Sequence, residues 1–335
     1  GHVITFCVRE IDRAAIFKFI GEIHMPLFFF ISGWFTWHGG KGPSLAKRAL
    51  QLLVPMVVCS SLWVWYFPHS GLESPLDSTF SGLWGSEWKN GYWFTLVLFE
   101  IILVYAFVRP MLCKCKSLLT ETLLWLSVFA VLYAADVATK GSVFNSWMSL
   151  SVTVIFFLVF ALGVVAARHS SGFMELVRKP AVYSAAMIIG AVTLYMRCWY
   201  WEFPAMSLQL VSIAVALALH ASLAIIGVGI TAPWAAVAFS GEKPRPLASI
   251  WAYIGRKSLA IYLLHYFFLF PLGSMREALM STNVAFVPVL VVSAIVAAVI
   301  IGVVLCVERV LQTSPVLSWL LCGSLPKFVS KKSEK

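Results

Sequence analysis

HMPLFFFISGWFTWH, residues 24–38, is the stretch that decides what kind of protein this is. It opens on His24-Met25-Pro26, runs through a middle as apolar as any lipid-facing helix, carries Ser32-Gly33 inside and closes on His38. A run this apolar needs either lipid or a deep core around it. The rest of the 335 residues decides between the two: 60% are hydrophobic and only 12% charged, where a soluble domain averages about one quarter charged. Such a chain cannot bury its apolar surface in one water-soluble core, so the bilayer is its solvent.

Crossing the hydrocarbon layer as a helix takes roughly 20 apolar residues. Windows of that kind fall at 17–38, 45–67, 91–108, 119–138, 144–167, 181–199, 206–230, 248–272 and 285–308. Residues 1–8 are apolar but short and read as the tail of a truncated further span. The alternation of an outer-membrane barrel is absent, as are internal repeats, low-complexity segments and a cleavable signal peptide. The sequence therefore predicts an all-α, polytopic transmembrane helical bundle of about ten spans. Residues 1–335 form one domain, ending in a tail over 309–335.

The net charge is +10, from 25 Lys and Arg against 15 Asp and Glu. No basic stripe with interleaved aromatics supports nucleic-acid binding. The cations sort instead by loop. One set, running from Lys41, Lys47 and Arg48 to the tail lysines, holds 16; the alternate set, Arg9, Arg13, Lys18, Lys89, Lys140, Arg197 and Arg276, holds 7. The positive-inside rule places the larger set, and with it the C-terminus, in the cytoplasm. His2 and His24 then lie toward the outer face and His38 toward the inner one. Glu73, Asp77 and Glu87 fall in an outer loop over 68–90. The 7 cysteines are scattered, and Cys113-Lys114-Cys115 is too tightly spaced for a zinc knuckle, so no metal is expected.

An ionisable residue within a span is costly and marks a functional candidate. Glu100 sits in WFTLVLFEIILVYAF and His220 in VALALHASLAII. Arg256-Lys257 opens a segment that continues to Tyr262 and His265, which lie three apart and share a helical face. That basic pair suits anionic phosphates or simple snorkelling. Lys47-Arg48 opens KRALQLLVP, as an interfacial anchor or as a phosphate site in which Arg offers a bidentate fork; Pro55 is expected to kink this helix. His24, ahead of Met25-Pro26, caps a helix or lines a cavity.

Taken together and in order, these stretches resemble the acyltransferase 3 family of integral membrane acyltransferases. Gly1-His2 matches the end of that family's first span. Residues 24–33, HMPLFFFISG, match its second. KRALQLLVP at 47–55 matches the basic stretch leading into Leu-Leu-x-Pro, with Gln51 where a second Arg usually stands. Trp93-Phe94 matches the opening of the fourth span. Gly255 to His265 matches GRxSLAIYLLH. The resemblance implies transfer of an acyl group, acetyl or succinyl, from coenzyme A to a hydroxyl of a cell-envelope glycan or lipid-linked sugar at the inner membrane. It implies His2 and His24 as catalytic residues, Lys47, Arg48 and Arg256 on the donor, and Glu100, Trp93, Tyr262 and His265 around the acceptor cavity. Acyl-CoA, a carbohydrate and the bilayer are the implied partners, with no bound cofactor; the oligomeric state is not indicated. Direct transfer and a histidine-linked acyl intermediate both stay open. A glycan or lipid transporter or flippase, or a structural subunit of an envelope complex, would also use many spans with buried polar groups.

Overall fold

The computed structural model describes residues 2–3, 15–37, 42–69, 79–200, 206–238, 245–270 and 286–326. His38, Glu73, Asp77, Arg9, Arg13, Lys41, Arg276 and the tail from Lys327 lie outside these. The described residues are 88% helical, with no strand. The main helices are α1 (Ala15–Thr36), α2 (Leu45–Tyr66), α3 (Trp93–Leu112), α4 (Leu118–Thr139), α5 (Leu150–Arg168), α6 (Pro180–Tyr195), α7 (Met206–Ala238), α8 (Pro246–Arg256), α9 (Ser258–Leu264), α10 (Phe286–Leu311) and α11 (Pro315–Cys322). Among the described residues, eight helices are long and apolar enough to cross a bilayer. The molecule is a multi-pass helical bundle.

Local chemistry sets the helix starts. Ser44 caps α2 by accepting the Lys47 N–H. Ser117 and Thr120 form a reciprocal capping box at the start of α4. Pro180 and Pro246 open α6 and α8, at the position where a missing N–H costs nothing. The predicted span at 248–272 is where structure and sequence differ most. It is broken at Lys257, between α8 and α9, and becomes a 3-10 turn over His265–Phe268. The break falls at Gly255-Arg256-Lys257, the polar step inside that window. At the break Lys257 Nζ donates to Glu308 Oε1 of α10 at 2.7 Å.

In lipid the hydrophobic effect does not draw helices together, so close packing must. The tightest packing lies between α1 and α5. A Cβ on Gly33 would run into the carbonyl oxygen of Phe160, and one on Gly163 into that of Phe30. The two glycines let the backbones touch, so the small Ser32-Gly33 step inside the opening stretch is a helix-crossing point. Around it Phe29, Trp93 and Phe156 stack, with Phe29 and Phe156 centroids 4.6 Å apart and Trp93 and Phe156 5.2 Å apart.

Two packed clusters result. One joins α1, α3, α4 and α5, with Leu45 and Leu52 of α2 beside Val108 and Leu112 of α3. The other joins α2, α9, α10 and α11 and holds Met56, Trp63, Tyr92 and Tyr266. Arg48 lies in the first turn of α2, near one end of the bundle. Trp63, four turns further on, lies near the other, with its ring 5.6 Å from that of Tyr266. These two ends, the Arg48 end and the His2 end, frame the site.

Candidate active site

At the His2 end, the turn that opens α3 is unusual. Lys89, Asn90 and Gly91 have φ of 45°, 49° and 98°. The left-handed region is uncommon for non-glycine residues and marks a strongly constrained turn. The constraint is visible. The buried Lys89 ammonium donates to the carbonyls of Trp84 (3.1 Å), Ser86 (2.7 Å) and Ser146. Burial pulls its pKa down to about 8, against attraction from Glu100 and Glu87. Gly91 is obligatory for a second reason: a Cβ there would overlap the Tyr266 hydroxyl.

Tyrosines of the α9 segment grip this turn. Tyr262 donates its hydroxyl to the Gly91 carbonyl at 2.7 Å and accepts the Phe94 N–H at 3.1 Å. Tyr92 donates to the Leu263 carbonyl at 3.2 Å. The result is a rigid wall against which His2 is set. His2 Nδ1 is 2.8 Å from His265 Nε2, and His2 Nε2 is 2.8 Å from the Tyr266 hydroxyl. The two imidazoles stack, with centroids 5.0 Å apart and planes 20° apart. His265 Nδ1 lies 2.7 Å from the Tyr262 carbonyl and 3.1 Å from that of Ile261. Residues 263 positions apart in the chain are thus joined through three hydrogen-bonded rings.

His24 is close enough to His2 for the two to interact electrostatically. Its Nδ1 donates to the Ile20 carbonyl at 2.6 Å. That fixes the proton on Nδ1 and leaves a lone pair on Nε2. The structure therefore brings together His2, Tyr262 and His265 of the predicted set, adds Tyr266, and leaves His24 within electrostatic range of His2.

Other predicted residues lie elsewhere. Trp93 is packed into the α1–α3–α5 aromatic stack and is 6% exposed. Glu100 is buried against α5, where its Oε2 accepts from Thr153 Oγ1 at 2.5 Å, while Oε1 has no hydrogen-bond partner. No contact joins Glu100 to the histidines among the described residues. At the Arg48 end, Lys47 and Arg48 lie in the first turn of α2, beside the last turn of α3. Neither side chain has an acidic partner among the described residues. Arg256 is exposed at the end of α8. Lys257 is neutralised by Glu308, so the basic pair reduces to Arg256 alone.

A second, partly buried cluster joins His220, a predicted candidate, to two residues the sequence did not single out. Glu22 of α1 accepts from Arg197 Nη2 at 2.6 Å, and its other oxygen is 3.8 Å from His220 Nε2 of α7. Arg197 also donates to Ser212 at 3.2 Å. The signal was present, since Glu22 is an acid within the apolar window 17–38. Its partner, 175 residues away, was not readable.

An acyltransferase-domain family model, that of the acyltransferase 3 family, matches residues 1–306. The match covers nearly the whole chain, and the protein belongs to this family of acyltransferases. No curated protein and no solved structure matches it.

Proposed function

We propose, with that membership as premise, that this enzyme moves an acetyl or succinyl group from cytoplasmic acyl-CoA to a hydroxyl of a cell-envelope glycan or lipid-linked sugar, using His2 as the base. The observation that carries the reading is the 2.8 Å hydrogen bond between His2 Nε2 and a hydroxyl, that of Tyr266. A sugar hydroxyl is a poor nucleophile until a positioned base removes its proton, and imidazole is suited to that at neutral pH.

The chemistry balances on groups of this chain. An acceptor hydroxyl takes the place of the Tyr266 hydroxyl on His2 Nε2, which accepts its proton as the oxygen attacks the thioester carbonyl. The carbon–sulfur bond then breaks, and the same nitrogen returns the proton to the departing coenzyme A sulfur. His24, with its free Nε2 close by, accepts a hydrogen bond from the acceptor. Glu100, which lacks a contact to the histidines, is assigned a supporting role in α3–α5 packing, and Trp93 likewise packs the wall.

The donor enters from the Arg48 end. Lys47, Arg48 and Arg256 are cations with no acidic partner there, and guanidinium groups recognise phosphate through paired N–H donors. From Arg48 to Trp63, against the His2 group, is 15 helical residues, or roughly 22 Å at 1.5 Å per residue. A long, flexible pantetheine arm is suited to that path. The positive-inside count puts the Arg48 end in the cytoplasm, where acyl-CoA is made. The His2 end then faces the acceptor, and the chain sits in the inner membrane with its C-terminus cytoplasmic.

The test is release of free coenzyme A from acetyl-CoA and succinyl-CoA by membranes containing the full-length chain, with envelope glycans as acceptor. Release is expected from the wild type and its loss, by a factor of at least about 10², from His2→Ala. A transporter or a structural subunit would release none from either. Normal turnover by His2→Ala would remove His2 from the base's role.

A further inference from the structure

The three-ring chain at the His2 end fixes more than position. A backbone carbonyl can only accept a hydrogen bond, and a neutral imidazole has one N–H and one lone pair. His265 Nδ1 faces two carbonyls, Tyr262 at 2.7 Å and Ile261 at 3.1 Å, so its proton is on Nδ1 and its lone pair on Nε2. That lone pair points at His2 Nδ1, 2.8 Å away. His2 must then carry its own proton on Nδ1 and present its lone pair on Nε2. Tyr266, 2.8 Å from that nitrogen, is left as the donor. Two backbone carbonyls thus set the proton positions of two rings and the direction of a phenol.

We propose that His265 is a positioning residue: keyed by the Tyr262 carbonyl, it holds His2 in the tautomer whose Nε2 is the base, and the Tyr266 hydroxyl holds that nitrogen until an acceptor hydroxyl takes its place. This reassigns His265 from the acceptor cavity to support of His2, and it rests on the reading of His2 as base. The arrangement does the work that a buried carboxylate does for histidine in hydrolytic triads, with a neutral acceptor in place of a charged one. That substitution suits a site inside a bilayer, where an isolated carboxylate is expensive to bury. The supports are themselves locked. Tyr262 is anchored at both Gly91 and Phe94, and Tyr266, Tyr92 and Leu263 are fully buried. The carbonyl that keys His265 thus belongs to a residue tied to the turn that opens α3.

The experiment uses full-length protein in lipid nanodiscs with ¹⁵N-labelled histidine and no substrate. Nitrogen shifts distinguish a protonated from a bare ring nitrogen, and the His2 signals among the 7 histidines are those lost in His2→Gln. The expected result is His2 protonated on Nδ1 and bare on Nε2. In His265→Leu that preference is lost, kcat falls about tenfold to a hundredfold, and the KM for acetyl-CoA changes less than about twofold. His265→Gln, whose side-chain carbonyl can accept from His2 Nδ1, restores both the tautomer and most of kcat. A wild-type His2 carrying its proton on Nε2 overturns the proposal, as does an unchanged His2 tautomer in a folded His265→Leu variant. The wild-type spectrum decides even if His265→Leu does not fold. If the tautomer is as expected while His2→Ala still releases coenzyme A, the acyl-transfer role of His2 fails and the tautomer assignment stands.

Discussion

The two ends of the bundle treat their polar groups in opposite ways. At the His2 end each of the assembled rings is held by another part of the chain. His2 is fixed by His265 and Tyr266, His265 by backbone carbonyls, and Tyr262 by Gly91 and Phe94. At the Arg48 end the cations divide. Lys257 is taken by Glu308, and Arg168 by Glu121 and the carbonyls of Leu112 and Cys115. Lys47, Arg48 and Arg256 have no acidic partner among the described residues. The difference teaches how to separate structural charge from functional charge in a membrane protein. A buried group that is paired holds the fold, whereas an unpaired cation at the mouth of the bundle is free to meet an anion.

The comparison breaks most visibly at the paired groups. Lys257→Met should leave the buried Glu308 carboxylate without its cation and destabilise the fold by on the order of 3 kcal/mol, read as a large drop in thermal midpoint in detergent. Gly91→Ala should come next. It forces a side chain into a left-handed backbone and into the Tyr266 hydroxyl, costing about 1–3 kcal/mol and lowering kcat with it, because Tyr266 and Tyr262 set the histidines. Arg48→Gln should do the reverse: stability unchanged within about 0.5 kcal/mol, with the KM for acetyl-CoA raised about tenfold, the equivalent of about 1.4 kcal/mol.

The last effect is a pH dependence. Lys89 titrates near 8 in the folded protein, below the ordinary 10.5 that the unfolded chain restores. The folded state thus releases its proton first, and over the window from about 8 to 10.5 the unfolded state binds more protons, so this group makes stability rise with pH. The wild-type midpoint, compared with that of Lys89→Met over that window of about 8 to 10.5, should show that rise as a difference.

Much of the fold was legible because composition alone forces it. An apolar window the length of a bilayer has one stable conformation in lipid, and HMPLFFFISGWFTWH declared itself as such a window. Gly33 was readable as a packing step, since small residues mark close crossings, although its partner Gly163 was not. Gly255-Arg256-Lys257 interrupts the window 248–272, but the pairing of Lys257 with Glu308, 51 residues further along, was hidden. The same limit governed the site. His2 and His265 were each singled out by their stretches, yet nothing in either told that the two rings meet. Trp93 shows the converse: an aromatic residue in a motif reads alike whether it lines a cavity or packs against Phe29 and Phe156. Glu22 was visible by the rule that picked out Glu100, but its pairing with Arg197 and His220 comes only from the assembled helices.

The central claim is a division of labour, with acceptor activation at the His2 end and donor binding at the Arg48 end. It is tested most directly by steady-state kinetics of coenzyme A release from acetyl-CoA by purified wild type, His2→Ala and Arg48→Gln in nanodiscs, with envelope glycans as acceptor. The account predicts that His2→Ala loses kcat while acetyl-CoA binding, read by competition, is unchanged, and that Arg48→Gln keeps kcat at saturation while its KM for acetyl-CoA rises. A His2→Ala enzyme that turns over normally, or an Arg48→Gln enzyme whose KM is that of the wild type, would contradict it.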